Sequence, residues 1–170
     1  MDKKRVKQAE NNFKRYLKEI LITKSEFNEI VFKTYLNNSL ESLKVADEIF
    51  KHKLSPLWCV VSSYYSMFYI ACAYIYRKGY KTKHEIVHQI ISETLIVLAN
   101  QDLKKHFFEE FEEEKDKVLS ASGNLLDSYE YEKTKRSQFQ YETTGEIKES
   151  KAKTSLERAK KFVAIMRQLI

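Results

Sequence analysis

The sequence predicts an all-α protein, and three observations support that class. The 170 residues include only three glycines and one proline, which is too few for a turn-rich β fold. No stretch alternates convincingly between apolar and polar residues, as a half-buried strand would. The run between Lys53 and Arg77, in contrast, carries no charge and is bounded like one helix. The length suits a single protein body with a substantial core.

The uncharged run has clear helix signals at both ends. Ser55 suits the N-cap, Pro56 the first helical position and Gly79 the residue that follows the last turn. A helix without charge on any face must be covered on all sides, either by lipid or by other helices. Serines and tyrosines occupy its middle, whereas tyrosines of membrane helices favour the interfaces. We therefore predict a core helix over residues 56–78, whose small residues permit close approach of its neighbours.

Two helices are predicted before the uncharged one. Residues 3–21 carry four apolar side chains on one stripe, namely Val6, Phe13, Leu17 and Ile20. Thr23 and Glu26 have capping-box spacing, which predicts the start of a long second helix. The core stripe of this second helix includes Phe27, Ile30, Val31, Leu36, Leu40, Leu43, Ala46 and Phe50.

Further helices are predicted after Gly79. A second capping box, Thr82 to Glu85, begins a helix whose inward residues are Ile86, Val87, Ile90, Leu95 and Leu98. Asp102 can cap the next helix, which bears Leu103, Phe107, Phe111 and Val118.

A loop and two helices complete the predicted fold. Ser120 to Asn124 has the composition of a loop, and a helix from about Leu125 carries Tyr129 and Phe139. A third capping box, Thr143 to Glu146, precedes the last helix. Its inward residues are Leu156, Ala159, Val163, Met166 and Ile170.

The net charge and the two cysteines limit which kinds of partner and which cellular location fit this sequence. The net charge of +6 is mildly basic, which is consistent with an RNA or nucleotide partner. The basic residues of the first helix and the acidic run from Glu109 to Asp116 are both predicted to be solvated helix faces. Cys59 and Cys72 lie inside the uncharged helix and are expected to be reduced core residues of a cytoplasmic protein. No apolar region typical of a signal peptide follows the first residues.

The segment from His84 to His88 matches the zinc-hydrolase pattern His-Glu-x-x-His literally. On a helix, two imidazoles one turn apart can bind zinc, and Glu85 would act as general base. However, His84 falls in the first helical turn, no strand is predicted to bind a peptide, and no motif specifies a third ligand. We therefore expect no metal site here, and no cofactor.

A second candidate site is the segment from Lys133 to Tyr141. If it is helical, Arg136 and Gln140 share one face, and Ser137 and Tyr141 lie on the adjoining face. A guanidinium with neighbouring hydroxyl and amide groups can hold phosphate. The pattern alone also fits an ordinary exposed basic patch. The tyrosines of the uncharged helix are expected to be core residues, with base stacking restricted to any exposed face.

Several segments resemble one family. Ser-Tyr-Tyr-Ser-Met-Phe at 63–68 resembles the Ala-Tyr-Tyr-Ala-Met-Phe core of HEPN domains (higher eukaryotes and prokaryotes nucleotide-binding), especially a small prokaryotic single-domain branch. Residues 38–46, 77–84 and 136–141 resemble further segments of that branch in the same order. The similarity covers about residues 35–168. It suggests a basic N-terminal helical extension over 1–24 and a HEPN-like bundle over 25–170.

The resemblance implies a four- or five-helix bundle with an extra N-terminal helix, usually homodimeric, in which Arg-containing helices meet at a cleft. Active HEPN ribonucleases use Arg-x4-6-His to attack RNA without a metal. Here Arg136 is present, but Tyr141 stands at a histidine position. Because an unperturbed tyrosine has a pKa of about 10, Tyr141 is a poor general base near neutral pH.

The resemblance therefore predicts RNA or nucleotide binding with weak or lost ribonuclease activity. The residues expected to bind are Arg136, Ser137, Gln140, Lys133 and Tyr65, with Arg136 and Tyr141 at the catalytic positions. It further implies a toxin–antitoxin or defence component, often partnered by a small nucleotidyltransferase and without a membrane. The alternative is a non-catalytic protein-interaction module, which the missing histidine and the modest charge both favour. A less favoured alternative is a zinc hydrolase that uses His84, Glu85 and His88.

Overall fold

The computed structural model describes residues 3–83, 87–99, 103–134 and 149–170, with side chains of the third range described up to residue 120. The described residues form six helices and two short strands, and the predicted all-α class is confirmed. In chain order the elements are α1 (Lys3–Lys18), β1 (Ile22–Lys24), α2 (Glu29–Lys51), α3 (Pro56–Arg77), β2 (Tyr80–Thr82), α4 (Val87–Ala99), α5 (Lys105–Thr134) and α6 (Glu149–Met166).

The uncharged helix α3 is the centre of the bundle, and it contacts α2, α4, α5 and α6. Its predicted ends are confirmed, because the Ser55 hydroxyl accepts a hydrogen bond from the Trp58 backbone N–H at 3.3 Å and Gly79 has a φ of +85°. By length and composition α3 could cross a membrane, but 72% of its apolar window is buried inside the protein. It is therefore a core helix, as predicted. Cys59 and Cys72 are buried on it as free thiols.

A two-stranded antiparallel ribbon joins the start of the chain to the end of α3. Ile22 pairs with Thr82 and Lys24 with Tyr80. The Ser25 N–H donates to the Gly79 carbonyl, and the Lys83 N–H donates to the Leu21 carbonyl, each at 2.9 Å. The predicted helix start at Thr23 is therefore wrong, and Thr82 lies in a strand instead of capping a helix. Strands of three residues are too short to show the alternation that would have predicted them.

The first helix ends earlier than predicted, and its inward residues differ. Leu17 and Ile20 are 36% and 55% exposed, contrary to expectation, whereas Ala9 and Tyr16 are buried. Ile20 follows the helix in the left-handed region, with a φ of 59°. Because the chain turns there to enter β1, the helical period no longer applies to Ile20.

Asn28 begins the second helix. Its Oδ1 accepts hydrogen bonds from the backbone N–H groups of Ile30 at 2.9 Å and Val31 at 3.2 Å. Phe27 and Ile30 were predicted to be core residues, but they lie at this helix start and are 48% and 76% exposed. Farther along α2, the Ser39 hydroxyl donates to the Ser66 carbonyl of α3 at 2.7 Å. Small residues thus allow these two helices to approach closely, as predicted.

The fifth helix continues through the segment that was predicted to be a loop. α5 spans Lys105–Thr134, so the predicted loop at Ser120–Asn124 and the new helix start at Leu125 are wrong. A single glycine such as Gly123 costs a helix only about 1 kcal/mol relative to alanine. The inward residues of α5 and α6 are buried as predicted: Leu103, Phe107, Phe111, Val118, Leu156, Ala159, Val163 and Met166. Ile170 lies beyond the end of α6 and is half-buried.

The acidic run is not a wholly solvated face, because Glu114 is fully buried. Its carboxylate accepts hydrogen bonds from Ser155 at 2.5 Å, Lys117 at 2.8 Å and Arg158 at 2.9 Å. Two of these donors belong to α6. The pairing therefore fixes α6 against α5.

A second buried carboxylate attaches the N-terminal helix to α4. Glu93 is 2% exposed, and it accepts hydrogen bonds from the Tyr16 hydroxyl at 2.6 Å and the Asn12 amide at 2.9 Å. Arg5 completes the group, since it pairs with both Glu93 and Glu112. Burial, together with the Glu93 carboxylate, raises the pKa of Tyr16 to about 12, so its hydroxyl remains a donor at neutral pH. Whether this helix packs on the bundle could not be predicted from the sequence.

Four of the sequence predictions concern residues outside the described ranges. They are the predicted caps at Asp102 and at Thr143 to Glu146, the Glu85 and Ile86 positions of the fourth helix, and Phe139.

We predict that Asn28→Ala lowers the free energy of unfolding by about 1 kcal/mol, because two backbone N–H groups lose their capping acceptor. Thr23→Ala is the matched control, since its hydroxyl makes one long bond of 3.4 Å to the Lys81 carbonyl. Urea unfolding of both variants measures the difference. A larger loss for Thr23→Ala would mean that the capping position has been wrongly assigned.

Candidate functional site

Among the described residues, one side of the bundle carries two stripes of uncharged side chains. On α3 this side presents Trp58, Ser62, Tyr65 and Tyr69, which share one helix face by their spacing. The neighbouring stripe of α2 consists of Tyr35, Asn38, Ser42 and Val45. We call these eight residues the neutral face. Trp58 is 59% exposed and Val45 is 48% exposed, while the other six are half-buried.

A histidine lies at the α4 edge of the neutral face. The His88 Nδ1 is 2.8 Å from the Tyr64 hydroxyl, and its ring centroid is 4.8 Å from that of Phe68 and 6.0 Å from that of Tyr65. The Tyr65 and Tyr69 rings are 6.0 Å apart. We call these five residues the aromatic cluster. Tyr64 and Phe68 are buried in it, whereas Tyr65, Tyr69 and His88 are half-buried and reach the surface.

The electrostatics keep the Tyr64–His88 pair neutral. Burial, and then the positive charge of Lys115 on α5, lower the pKa of His88 from its ordinary value. Burial also raises the pKa of Tyr64, so its hydroxyl keeps its proton. The hydrogen bond therefore joins two uncharged groups at neutral pH.

This arrangement suits a flat, uncharged ligand better than it suits acid–base chemistry. Half-exposed aromatic rings offer surfaces on which a nucleobase can stack, which is worth about 1–3 kcal/mol per base. Lys115, whose side chain is 13% exposed and pairs with Asp116 at 3.3 Å, is the cation whose charge reaches His88. Such a surface can bind without performing catalysis.

The predicted site residues are only partly described. Tyr65 is half-buried in the aromatic cluster, and Lys133 belongs to the helical backbone of α5. Arg136, Ser137, Gln140 and Tyr141 lie outside the described residues. The predicted approach of Tyr64 and Tyr65 to the Arg136 segment therefore stays a prediction.

The zinc motif is likewise only partly described, since His84 and Glu85 lie outside the described ranges. His88 uses its Nδ1 to bond Tyr64. Among the described residues, no three His, Cys, Asp or Glu side chains are grouped as metal ligands would be. The described part of the motif thus contributes to the aromatic cluster.

Sequence reasoning did not identify His88 and Lys115 as parts of an aromatic site. His88 matches a zinc pattern for which no metal site is expected, and Lys115 lies within the acidic run. The one sequence signal that pointed to an aromatic site is the four-residue spacing of Tyr65 and Tyr69, which places them on one face of α3. The remaining tyrosines of this helix, Tyr64, Tyr74 and Tyr76, are buried core residues as predicted.

Comparison with known families agrees with this description of the fold and the central helix. The family model for the HEPN domain matches residues 32–169, which is most of the chain. The chain therefore belongs to the HEPN-domain family, and this membership supports a nucleotide- or RNA-related role. No curated protein matches the chain significantly. The match begins within α2, so α1 and β1 lie before it.

We predict that His88 makes the folded protein less stable in mild acid. The unfolded chain binds the His88 proton at its ordinary pKa of about 6.5, whereas the folded protein binds it only at lower pH. The stability that neutral His88 supports is therefore fully present above pH 6.5 and is lost as the pH falls below it.

Urea unfolding between about pH 7.5 and 5 tests this contribution. His88→Gln should show a smaller decrease in the free energy of unfolding than the wild-type protein. His52→Gln is the control, because the His52 side chain is 59% exposed and contacts only Glu48 among the described charged groups. Equal pH dependence in the wild type and His88→Gln would contradict the proposed environment of His88.

Proposed function

We propose that this HEPN-family protein binds RNA or a nucleotide at a cleft that contains Arg136 and the aromatic cluster, with weak or lost ribonuclease activity. The observation that carries the proposal is a half-buried aromatic surface within the residues that match the HEPN domain. Tyr65 and Tyr69 contribute to it from α3, and His88 contributes from α4. Arg136 would hold a phosphate, since a guanidinium forms paired hydrogen bonds to phosphate oxygens. Ser137, Gln140 and Lys133 would add polar contacts.

Binding is favoured over catalysis for a chemical reason. Metal-independent cleavage needs a group that removes the proton of the ribose 2′-hydroxyl near neutral pH. Tyr141 stands at the motif position, and an ordinary tyrosine pKa of about 10 leaves it protonated there. Arg136 alone can still bind and orient the phosphate. If any cleavage persists, it would be metal-independent and slow.

We further propose that the neutral face is covered by a second copy of the chain. About a third of the residues of this chain are charged, whereas none of these eight residues is. Two copies with a net charge of +6 repel one another, and an uncharged face allows the closest approach. Trp58 and Val45 supply exposed apolar surface at one end of it. The aromatic cluster would then border the cleft between the two copies.

A role in a toxin–antitoxin or defence system, with a small nucleotidyltransferase as partner, is the biological context that we propose. The alternative function is a non-catalytic protein-interaction module, which the uncharged face would also serve. Purified protein that carries one protein partner and no RNA would favour this alternative.

We predict that Tyr65→Ala weakens binding of a single-stranded RNA about tenfold, because a base loses its stacking surface. Tyr65→Phe should bind like the wild type, since the ring is kept. Phe27→Ala is the control for loss of an exposed aromatic ring, since Phe27 lies near the other end of α3, against Tyr76 and Arg77. Fluorescence anisotropy with a labelled oligonucleotide measures all three affinities.

Arg136→Ala is predicted to weaken RNA binding and to reduce the salt dependence of the affinity by about 0.7 in log–log slope, as expected for one lost phosphate contact. Lys33→Ala is the control, because Lys33 is exposed on α2 and paired with Glu29 at 2.8 Å. RNA affinity that is unchanged by Arg136→Ala at every salt concentration would rule out this residue as the binding site.

We predict that Trp58→Glu converts a dimer into a monomer, because it places a charge in the apolar part of the contact. Trp58 is 59% exposed in the single chain, so the fold should tolerate the change. Ile30→Glu is the matched control, since Ile30 is 76% exposed outside the neutral face. Light scattering coupled to gel filtration gives the mass of each variant. A wild-type protein that is monomeric at high concentration would refute the proposed dimer.

A further inference from the structure

Four lysines form a stripe along the outer side of α1. Lys3, Lys7, Lys14 and Lys18 are spaced by four, seven and four residues, which places them on one helix face. All four are exposed. The opposite side of α1 is occupied by Ala9 and Tyr16, which are buried. The stripe extends over about 22 Å, at about 1.5 Å of rise per residue.

The ribbon beside α1 adds two exposed lysines. Lys81 is the cross-strand partner of Thr23, and it points away from the core because its neighbour Thr82 pairs with the fully buried Ile22. Lys83, two residues farther along, lies on the same outer side and is also exposed. The ribbon packs against α1 through Phe13 and Tyr80, whose ring centroids are 5.3 Å apart. We call the four lysines of α1 with Lys81 and Lys83 the lysine face.

Little negative charge balances the lysine face. Within the described residues, none of its six lysines forms an ion pair. Glu10, three residues after Lys7 and four before Lys14, borders the lysine stripe, and Glu19 is the other acidic residue of the range 3–24. Arg5, in contrast, turns inward and is neutralised by Glu93 and Glu112. Arg5 thus has a structural role, whereas the six lysines of the lysine face are unpaired surface cations within the described residues.

We infer that the lysine face is a second RNA-binding surface, which contacts the phosphate backbone without reading the bases. Its length suits an extended polyanion rather than a single phosphate group. Lysines bind phosphates as point charges and carry little sequence information. The inference takes its ligand class from the proposed function, but its site is separate, since α1 packs on α4 and β1 and lies before the matched HEPN residues.

An RNA partner fits this surface better than a membrane does. A helix that lies on a bilayer needs a free apolar face to insert between the lipids. The apolar side of α1 is already used within the fold, where Ala9 and Tyr16 are buried and Val6 and Phe13 pack against the core. Leu17 and Ile20 remain exposed, but they lie only at its C-terminal end. The free side of α1 is dominated by charge.

The test uses the full chain and a variant with four substitutions, Lys7→Gln, Lys14→Gln, Lys18→Gln and Lys81→Gln. A matched variant with the same change in net charge carries Lys51→Gln, Lys151→Gln, Lys153→Gln and Lys161→Gln, all exposed on α2 and α6. Affinity for labelled single-stranded oligouridine is measured between about 50 and 200 mM salt. Circular dichroism melting confirms that each variant is folded. The double variant Lys14→Gln and Lys18→Gln repeats the measurement with fewer changes.

The lysine-face variant should bind at least about tenfold more weakly at low salt, and its log–log salt slope should decrease by about 3, or about 0.7 for each lost phosphate contact. In the double variant, the slope should decrease by about half as much as in the variant with four substitutions. The matched variant should retain the wild-type slope. If the lysine-face and matched variants show equal slopes, the inference is overturned.

Arg136→Ala measured beside these variants separates this inference from the proposed function. Dependence on Arg136 without dependence on the lysine face overturns only the present inference. Dependence on the lysine face without dependence on Arg136 supports the inference and overturns the proposed cleft. A wild-type protein that binds anionic vesicles and no oligouridine overturns both.

Discussion

The absence of charge from α3 is the constraint on which the rest of the structure depends. A helix of 22 residues without a charged side chain before Arg77 must be covered, and α2, α4, α5 and α6 cover most of it. Its buried tyrosines remain compatible with this core because their hydroxyls find partners. Tyr74 donates to the Leu98 carbonyl at 3.1 Å, and Tyr76 donates to the Glu26 carbonyl at 3.1 Å. Among the described residues, the less buried stripe of α3 is uncharged and mostly aromatic.

Two buried carboxylates fix the outer helices around this centre. Glu93 collects donors from α1, and Glu114 collects donors from α5 and α6. A buried carboxylate is costly unless it is paired and hydrogen-bonded, so each of them favours one arrangement of its partners over others. Apolar packing alone tolerates sliding between helices more readily than these bonds do. The two carboxylates therefore specify where α1 and α6 dock.

The parts of the fold that could be predicted have local signals, and the parts that could not depend on distant residues. Ser55, Pro56 and Gly79 define α3 because capping is decided within one turn. Thr23 and Glu26 have the same local spacing, yet Ile22 pairs with Thr82 across 60 residues and draws this segment into a strand. Glu93 and Glu114 look like surface residues in the sequence, since most of their donors come from other helices. In the candidate site, Tyr65 could be predicted from its motif, whereas His88 acquires its role only through contact with Tyr64.

The positions of charge and aromatic surface suggest a division of tasks between two parts of the chain. Contacts to phosphate give affinity and position, whereas contacts to bases give discrimination. The lysine face has cations without half-exposed stacking rings of its own, and the aromatic cluster has stacking rings without a charged member. A strand held by α1 and the ribbon would be concentrated near the bundle before any base reached Tyr65. Because α1 docks through Glu93, a buried residue of α4, and His88 lies on that same helix, α4 links the two surfaces physically. We therefore propose that the N-terminal helix, which precedes the residues that match the family model, takes part in binding.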